Sequence, residues 1–329
     1  MTGLHGDEEL AAEVRGLLGD RHPTAAVAAL SPYGQRIAAI GAGLDADFEL
    51  GSVSKGITGL LYVDALERGE ITPSTTLGEL LPLGDTPAAG VTLAAISTHR
   101  SGLPRLPASA APVRRTVALW RQGTNPYGET LDELIAQARG VRLTSPRARY
   151  SNLGFELLGH AIAAATGLSY QELVRRRIAE PLDLGEFYVP STAQELRPGA
   201  VAGRSRTGRV RQPWTGEAIG PAGGIRSSIR DVARLTAALL DGSAAGTAAL
   251  DPVANFTGAV RIGAAWISLD HKGRSITWHN GATGGFSTWL GLDRAAGTAV
   301  ALLSATSASV DRHGFSLLAQ LANRGAIVG

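Results

Sequence analysis

The chain has 329 residues, 44% of them hydrophobic and 18% charged, with no cysteine and a formal net charge of +2. That length exceeds what one hydrophobic core usually serves, so two lobes are expected. The missing cysteine excludes disulfides, thiolate metal sites and a cysteine nucleophile, and so slight an excess of arginine does not point to nucleic acid as a partner.

Met1 to Leu18 is polar and acidic, without an apolar core of signal-peptide length. No stretch approaches the roughly 18 apolar residues of a membrane span, so a cytoplasmic address and no membrane partner are expected. Glu8 to Leu18 has helical periodicity. Thr24–Leu30 and Arg36–Ile40 are short apolar runs joined by Ser31-Pro32-Tyr33-Gly34, a hairpin signal. Phe48-Glu49-Leu50-Gly51-Ser52-Val53-Ser54-Lys55 reads as the end of an extended segment, a glycine turn and the first turn of a helix running from about Ser52 to Arg68 and stopping at Gly69.

From Gly69 to Gly246 the reading is mainly helical. Thr130-Leu131-Asp132-Glu133 and Ser169-Tyr170-Gln171-Glu172 are capping-box signatures. Asn152–Thr166 and Ser227–Leu240 are long apolar helices closed by Gly167 and Gly242. Between them, Pro190 to Gly224 is a loop region rich in Gly and Pro, in which Arg204, Arg206, Arg209 and Arg211 form a solvated basic cluster. After about Phe256 the texture turns to strands: Val260–Leu269, Ser275–His279, Ser287–Leu292 and Thr298–Leu303, with Lys272 at a hairpin tip, before a closing helix over Val310–Ala322. The predicted fold class is α/β (α+β). An antiparallel sheet flanked by helices is built from both termini, residues 1–68 and 250–329, and a mainly helical lobe, residues 69–249, is inserted between them. The active site is expected in the cleft between the lobes.

Chemistry concentrates at three places. Ser52 and Lys55 stand three apart at a helix start and share one face. A serine beside a lysine is a nucleophile beside a base, and the helix N-terminus favours a developing oxyanion. Of the 31 lysines and arginines only Lys55 and Lys272 are lysines, and lysine can lose its proton where arginine cannot. Tyr150-Ser151-Asn152 opens the second long helix: a tyrosine can serve as base beside cations, and an asparagine can hold both an ammonium and a substrate amide. His279-Asn280-Gly281-Ala282-Thr283-Gly284-Gly285-Phe286 ends a predicted strand, and its glycines permit close backbone approach. The Ala282 N–H would then join the Ser52 N–H as an oxyanion donor.

These three pieces, in this order, resemble the serine β-lactamases and penicillin-binding proteins, and most of all the class C β-lactamases, the serine DD-carboxypeptidases and the esterases built like them. Phe48–Lys55 resembles the nucleophile segment, Tyr150-Ser151-Asn152 the Tyr-x-Asn element, and Gly281–Phe286 the residues after the third motif. His99-Arg100-Ser101-Gly102-Leu103-Pro104 and Gly220-Pro221-Ala222-Gly223-Gly224-Ile225 also fit the family. The resemblance implies a β-lactamase/transpeptidase-like fold and a serine hydrolase working through a Ser52 acyl-enzyme. Lys55 and Tyr150 move the proton, Asn152 orients Lys55 and substrate, and His279 sits near the leaving group. Typical β-lactamases carry Lys-Thr-Gly at the third motif, where this chain has His279-Asn280-Gly281, so efficient β-lactam hydrolysis is not implied.

Asn280, Gly281, Phe286 and Trp214 are the candidate substrate contacts, with Trp214 best placed to line an acyl pocket. His99 reads as structural in its turn, and the scattered histidines have no ligand spacing, so no metal and no cofactor are expected. The expected partner is a small ester, amide or D-amino-acid peptide. The competing readings are an acyltransferase of a biosynthetic pathway, a D-amino-acid peptidase, a true β-lactamase and a β-lactam sensor that acylates and stops. The oligomeric state is left open.

Overall fold

A computed structural model describes residues 3–107, 111–271 and 273–328; Lys272 lies outside the described residues. The N-terminal part supplies β1 (Leu4–Gly6), α1 (Glu8–Leu18), β2 (Ala25–Ser31), β3 (Gly34–Ile40), β4 (Asp47–Glu49) and α2 (Val53–Glu67). Helices dominate the middle: α3 (Leu77–Leu80), α4 (Leu93–Ser97), α5 (Pro112–Gln122), α6 (Leu131–Arg139), α7 (Asn152–Thr166) and α8 (Tyr170–Val174). After β5 (Arg226–Ser228) and α9 (Ile229–Asp241) come β6 (Ala254–Thr257), β7 (Val260–Ile262), β8 (Ile267–His271), β9 (Arg274–Ala282), β10 (Ser287–Asp293), β11 (Thr298–Ser304) and α10 (Asp311–Val328).

Nine strands form one sheet in the order β1-β3-β2-β11-β10-β9-β8-β7-β6, and every neighbouring pair is antiparallel. The N-terminal hairpin joins the C-terminal strands through β2 against β11, in the register Val27↔Leu302. β11 is buried on both faces, and its period-two alternation divides the core. Val300 and Leu302 meet Leu10, Val14 and Leu318 of α1 and α10, while Ala299, Ala301 and Leu303 meet the larger core around α2, α7 and α9. Near-continuous apolar strands are what a sheet covered on both faces requires.

Helix α2 is the axis of the larger core. Nearly every residue from Val53 to Ala65 is buried, which fits a helix that is apolar all round. It packs against α7, β9 and a single π-helical turn, Gly220–Gly224. Two expectations are corrected. Ser227 and Ser228 are strand and cap, not helix: they pair with Phe48 and Asp47, and the Ser228 side chain accepts from the Asp231 N–H to start α9. Val260–Leu269 is two strands, broken at Gly263–Trp266, because Trp266 turns inward, is fully buried and bonds the Gly56 carbonyl. The Thr130 capping box is complete. At Ser169 only the serine half forms, since Glu172 turns to Arg175 and Arg176.

Candidate active site

The turn before α2 is set by backbone contacts. The Leu50 N–H donates to the Ile225 carbonyl at 2.9 Å, and the Thr288 hydroxyl donates to the Leu50 carbonyl at 2.7 Å. Gly51 takes φ +52°, a left-handed value that glycine adopts at no steric cost. A Cβ on Gly51 would stand 2.9 Å from the Ala282 nitrogen, so the end of β9 lies against this turn. At Gly281 a Cβ would run into the Leu50 carbonyl and the Thr288 hydroxyl. The third motif and the Ser52 turn are thus joined backbone to backbone.

Ser52 is the N-cap residue of α2, half-buried, with Lys55 one turn on and fully buried. Lys55 Nζ donates to Ser52 Oγ at 3.2 Å and to the Ala222 carbonyl at 2.5 Å. It also lies 4.8 Å from the centre of the Tyr150 ring, a cation–π distance. The Tyr150 hydroxyl donates to Ser52 Oγ at 2.6 Å, at the short end for such bonds. The structure therefore brings Ser52, Lys55 and Tyr150 together on one oxygen atom.

Tyr150 is held from behind by His99, which takes φ +56°. The His99 carbonyl accepts from the Arg149 N–H at 2.8 Å, its Nδ1 accepts from the Ser151 N–H at 3.3 Å, and its ring lies 4.7 Å from the Tyr150 ring. Ser151 caps α7 by accepting from the Gly154 N–H at 2.9 Å and donates to the Pro104 carbonyl at 2.6 Å. The Asn152 amide does not reach Lys55, contrary to expectation. Its Nδ2 donates to the Tyr127 hydroxyl at 2.9 Å, and its Oδ1 is buried without a partner among the described residues. The carbonyl that Lys55 uses instead comes from the π-turn Gly220–Gly224, through Ala222.

His279 stands on β9 facing α2 and is 1% exposed. Since a carbonyl only accepts, Nδ1 carries the proton it shares with the Asn280 carbonyl at 2.7 Å, and Nε2 is left an acceptor without a partner among the described residues. Burial, with the Lys55 charge second, pushes its pKa down to about 4 against the opposing bond to Asn280. Desolvation thus keeps this ring neutral at the pH where an ordinary histidine would begin to charge. Burial, Lys55 and His279 push His99 the same way.

Two further residues are placed differently from expectation. Asn280 points to the opposite face of β9, where its amide donates to Asp311 of α10 at 3.0 Å. Phe286 is buried against Phe48, ring centres 6.2 Å apart, and supports the loop from within the core. Trp214 does line a cavity, of about 330 Å³, together with Tyr127, Arg105, Leu119, Leu134 and Glu156. The Tyr127 and Trp214 rings meet edge-on at 4.7 Å. Because Tyr127 bonds Asn152 and Arg105 lies against the Tyr150 ring, this cavity adjoins the Ser52 centre.

Sequence reasoning missed the Ala222 carbonyl, Tyr127 and Glu156. Ala222 lies in the Gly220–Ile225 stretch that fits the family, but a backbone carbonyl's role shows in no residue type, and Tyr127 carries no pattern. Glu156 did: it is the acid inside the apolar run Leu153–Ala165, four residues after Asn152. Among the described residues no group of three or more His, Cys, Asp or Glu could hold a metal ion, and no helix is long and apolar enough to cross a membrane.

The family model described as Beta-lactamase matches residues 10–322. The D-alanyl-D-alanine-carboxypeptidase/endopeptidase AmpH of Escherichia coli (strain K12) is 32% identical over 160 residues, 46% of this chain but only 39% of that protein. The beta-lactamase of the same organism is 28% identical over 193 residues, 57% of this chain and 46% of that one. The chain thus aligns with less than half the length of these relatives. Among solved structures, the class C beta lactamase from Rhodobacter sphaeroides superposes with a TM-score of 0.75 at 20% identity, covering 98% of this chain and 99% of that one. The beta-lactamase/D-alanine carboxypeptidase from Pseudomonas syringae gives 0.78 at 17% identity, covering 96% and 97%. The fold is the β-lactamase/transpeptidase fold.

Proposed function

Because the chain belongs to the Beta-lactamase family, we propose that it is a serine acyl hydrolase that cleaves a small ester, amide or D-amino-acid peptide through a Ser52 acyl-enzyme. One observation carries this reading: Ser52 Oγ sits within hydrogen-bond reach of both Lys55 Nζ, at 3.2 Å, and the Tyr150 hydroxyl, at 2.6 Å. It does so at a helix start, where backbone N–H groups lack intrahelical partners.

Ser52 attacks the carbonyl and its proton passes to the Lys55–Tyr150 pair, in the state where one of the two is unprotonated. The oxyanion is held by the N–H groups of Ser52 and Ala282. The pair returns the proton to the leaving alcohol or amine as the carbon–heteroatom bond breaks. Water then repeats the cycle on the acyl-enzyme and frees Ser52. Asn152 Oδ1, buried and unpartnered, accepts from a substrate amide N–H. His279 offers a neutral acceptor where relatives with Lys-Thr-Gly offer a cation, so β-lactams with their carboxylate are poor substrates. The sheet lobe (1–68 and 250–329) and the helical lobe (69–249) meet at Ser52. The name of the carboxypeptidase relative brings D-amino-acid peptides into the substrate class.

The test is labelling by a fluorescent serine-directed phosphonate, with peptide mapping of the adduct and turnover of 4-nitrophenyl esters. The adduct is expected on Ser52 and nowhere in Ser52→Ala. Labelling that persists in that variant removes Ser52 as nucleophile. Product analysis with added alcohol separates hydrolysis from transfer.

A further inference from the structure

Helix α7 sends a second polar side chain toward the same region as Asn152. Glu156 follows by four residues, so the two share a face with Cβ atoms about 6 Å apart. Glu156 is 4% exposed and lines the cavity of about 330 Å³ beside Tyr127 and Trp214. Among the described residues nothing bonds its carboxyl; Lys55, Glu129 and Arg115 act on it only through space.

A carboxyl taken out of water without a partner is costly. Burial pushes this one up to about 8, with Glu129 adding to the rise and Lys55 and Arg115 opposing it, so at neutral pH it holds its proton. The cavity's other ionic groups are engaged. Arg115 pairs with Glu129 and donates to the Pro126 carbonyl, and Gln137 also donates to Glu129. Arg105 lies outward against the Tyr150 ring. Of the ionisable groups that line this interior, Glu156 is the one that no described residue bonds, and it sits between apolar walls that include Leu119 and Leu134. A neutral apolar guest would leave that carboxyl without a partner; a protonated amine on an apolar stem gives it one once its own proton has left, and the Tyr127 and Trp214 rings add favourable faces for a cation.

We propose that Glu156 is a specificity-determining residue that receives a protonated amine at the far end of a short apolar acyl chain whose carbonyl lies at Ser52. This rests on the acyl-enzyme reading for the position of the carbonyl, but the amine site itself does not depend on turnover. When the ammonium binds, Glu156 becomes the carboxylate, and its proton leaves to solvent.

The experiment compares two pairs of isosteres on the whole protein. Binding of 6-aminohexanamide and of heptanamide is measured by calorimetry at pH 7 in buffers of different ionisation enthalpy. Turnover is measured for the 4-nitrophenyl esters of 6-aminohexanoic and heptanoic acid. The amine is expected to bind at least about tenfold tighter than its isostere, as for a hydrogen bond to a charged group, with about one proton released per molecule bound. The aminated ester is expected to show the same preference in kcat/KM, and in Glu156→Gln both preferences fall to unity. Equal binding of amine and isostere by the wild type, which needs no variant to fold, overturns the proposal. So does a preference that survives in Glu156→Gln. Amine preference without any ester turnover would instead overturn the acyl-enzyme reading and leave the Glu156 site standing.

Discussion

Two buried polar clusters flank the short stretch Phe48–Gly51, and they are built on opposite rules. On one side, Arg226 is bonded at every nitrogen: Nε to Asp47 at 2.6 Å, Nη1 to Glu49 at 3.2 Å, and Nη2 to the carbonyls of Asp47 and Val201, each at 3.3 Å. Tyr188 completes Asp47 at 2.5 Å. On the other side, Ser52, Lys55 and Tyr150 crowd one oxygen atom, while Asn152 Oδ1 and His279 Nε2 next to them have no partner. The first cluster spends its polar groups on itself and fixes β4 against β5. The second leaves acceptors unanswered in a place where leaving them so is costly. What separates a structural buried network from a reactive one here is how many of its bonds await a ligand.

The comparison breaks most visibly in activity. Ser52→Ala is expected to abolish ester turnover while changing unfolding free energy by no more than about 1 kcal/mol, because it removes a half-buried hydroxyl and Lys55 keeps its bond to the Ala222 carbonyl. Lys55→Arg is expected to cost roughly a hundredfold or more in kcat, since arginine cannot serve as a base. Steady-state kinetics beside urea denaturation checks both. A Lys55→Arg enzyme of near-normal rate would make Lys55 a fixed cation and take proton transfer away from this cluster.

The paired cluster should fail in stability instead. Arg226→Met leaves Asp47 and Glu49 buried without their cation, and a loss of about 3–5 kcal/mol in urea unfolding is expected. Because Glu49 also accepts from the Trp214 N–H at 2.9 Å, the damage should spread to the cavity wall. If the variant unfolds at the wild-type urea concentration, the network is not what fixes β4, and the contrast between the clusters loses its structural half.

The sequence carried these two clusters unequally. Ser52 and Lys55 were legible because their chemistry follows local spacing, and a helix start between a glycine turn and an apolar run is a local event; Tyr150 was legible through the resemblance of Tyr150-Ser151-Asn152 to a family element. The α2, α7 and α9 helices and the β2–β3 hairpin were legible for the same reason. Arg226 gave no signal. It lies 177 residues from Glu49, just before what reads as the start of a helix, and only the pairing of β4 with β5 shows that Arg226–Ser228 is strand. The partner of Asn152 was misjudged because Tyr127 arrives from a turn with no periodicity. His279 was correctly placed on a strand, but its burial depends on Trp266, whose inward turn interrupts an otherwise strand-like run.

A finer separation comes from acid. The folded state holds His279 near 4, below the ordinary value of about 6.5. Between those values the unfolded chain binds the proton and the folded protein does not, so this residue's contribution is fully present above pH 6.5 and is lost as pH falls toward and through 4. His279→Asn should therefore flatten the acid side of the stability curve by up to about 3 kcal/mol between pH 7 and 4, as read by denaturant titrations at each pH. Between pH 6 and 8 the variant's activity profile should keep the wild-type shape. A wild-type inflection near pH 6.5 that disappears in the variant would mean that His279 is solvated and charged in catalysis, and the reactive cluster would then contain a second cation.

The smallest effect is expected one residue further along the same strand. Alternation along β9 turns His279 toward α2 and Asn280 toward α10, where its amide bonds Asp311 at 3.0 Å on an exposed face. Asn280→Ala removes one exposed bond of this kind, so unfolding should change by less than about 1 kcal/mol and kcat/KM for neutral esters should stay within about twofold of wild type. Next to it, Gly281→Ala has no such freedom, because a Cβ would run into the Leu50 carbonyl and the Thr288 hydroxyl. That contact would push the end of β9 off the Ser52 turn and displace Ala282. The pair thus measures how sharply function is confined to one face of a strand and to its backbone. A loss of more than tenfold in Asn280→Ala, with Gly281→Ala tolerated, would place the ligand on the α10 side of the sheet, against the reading that the unpartnered groups around Ser52 are where it binds.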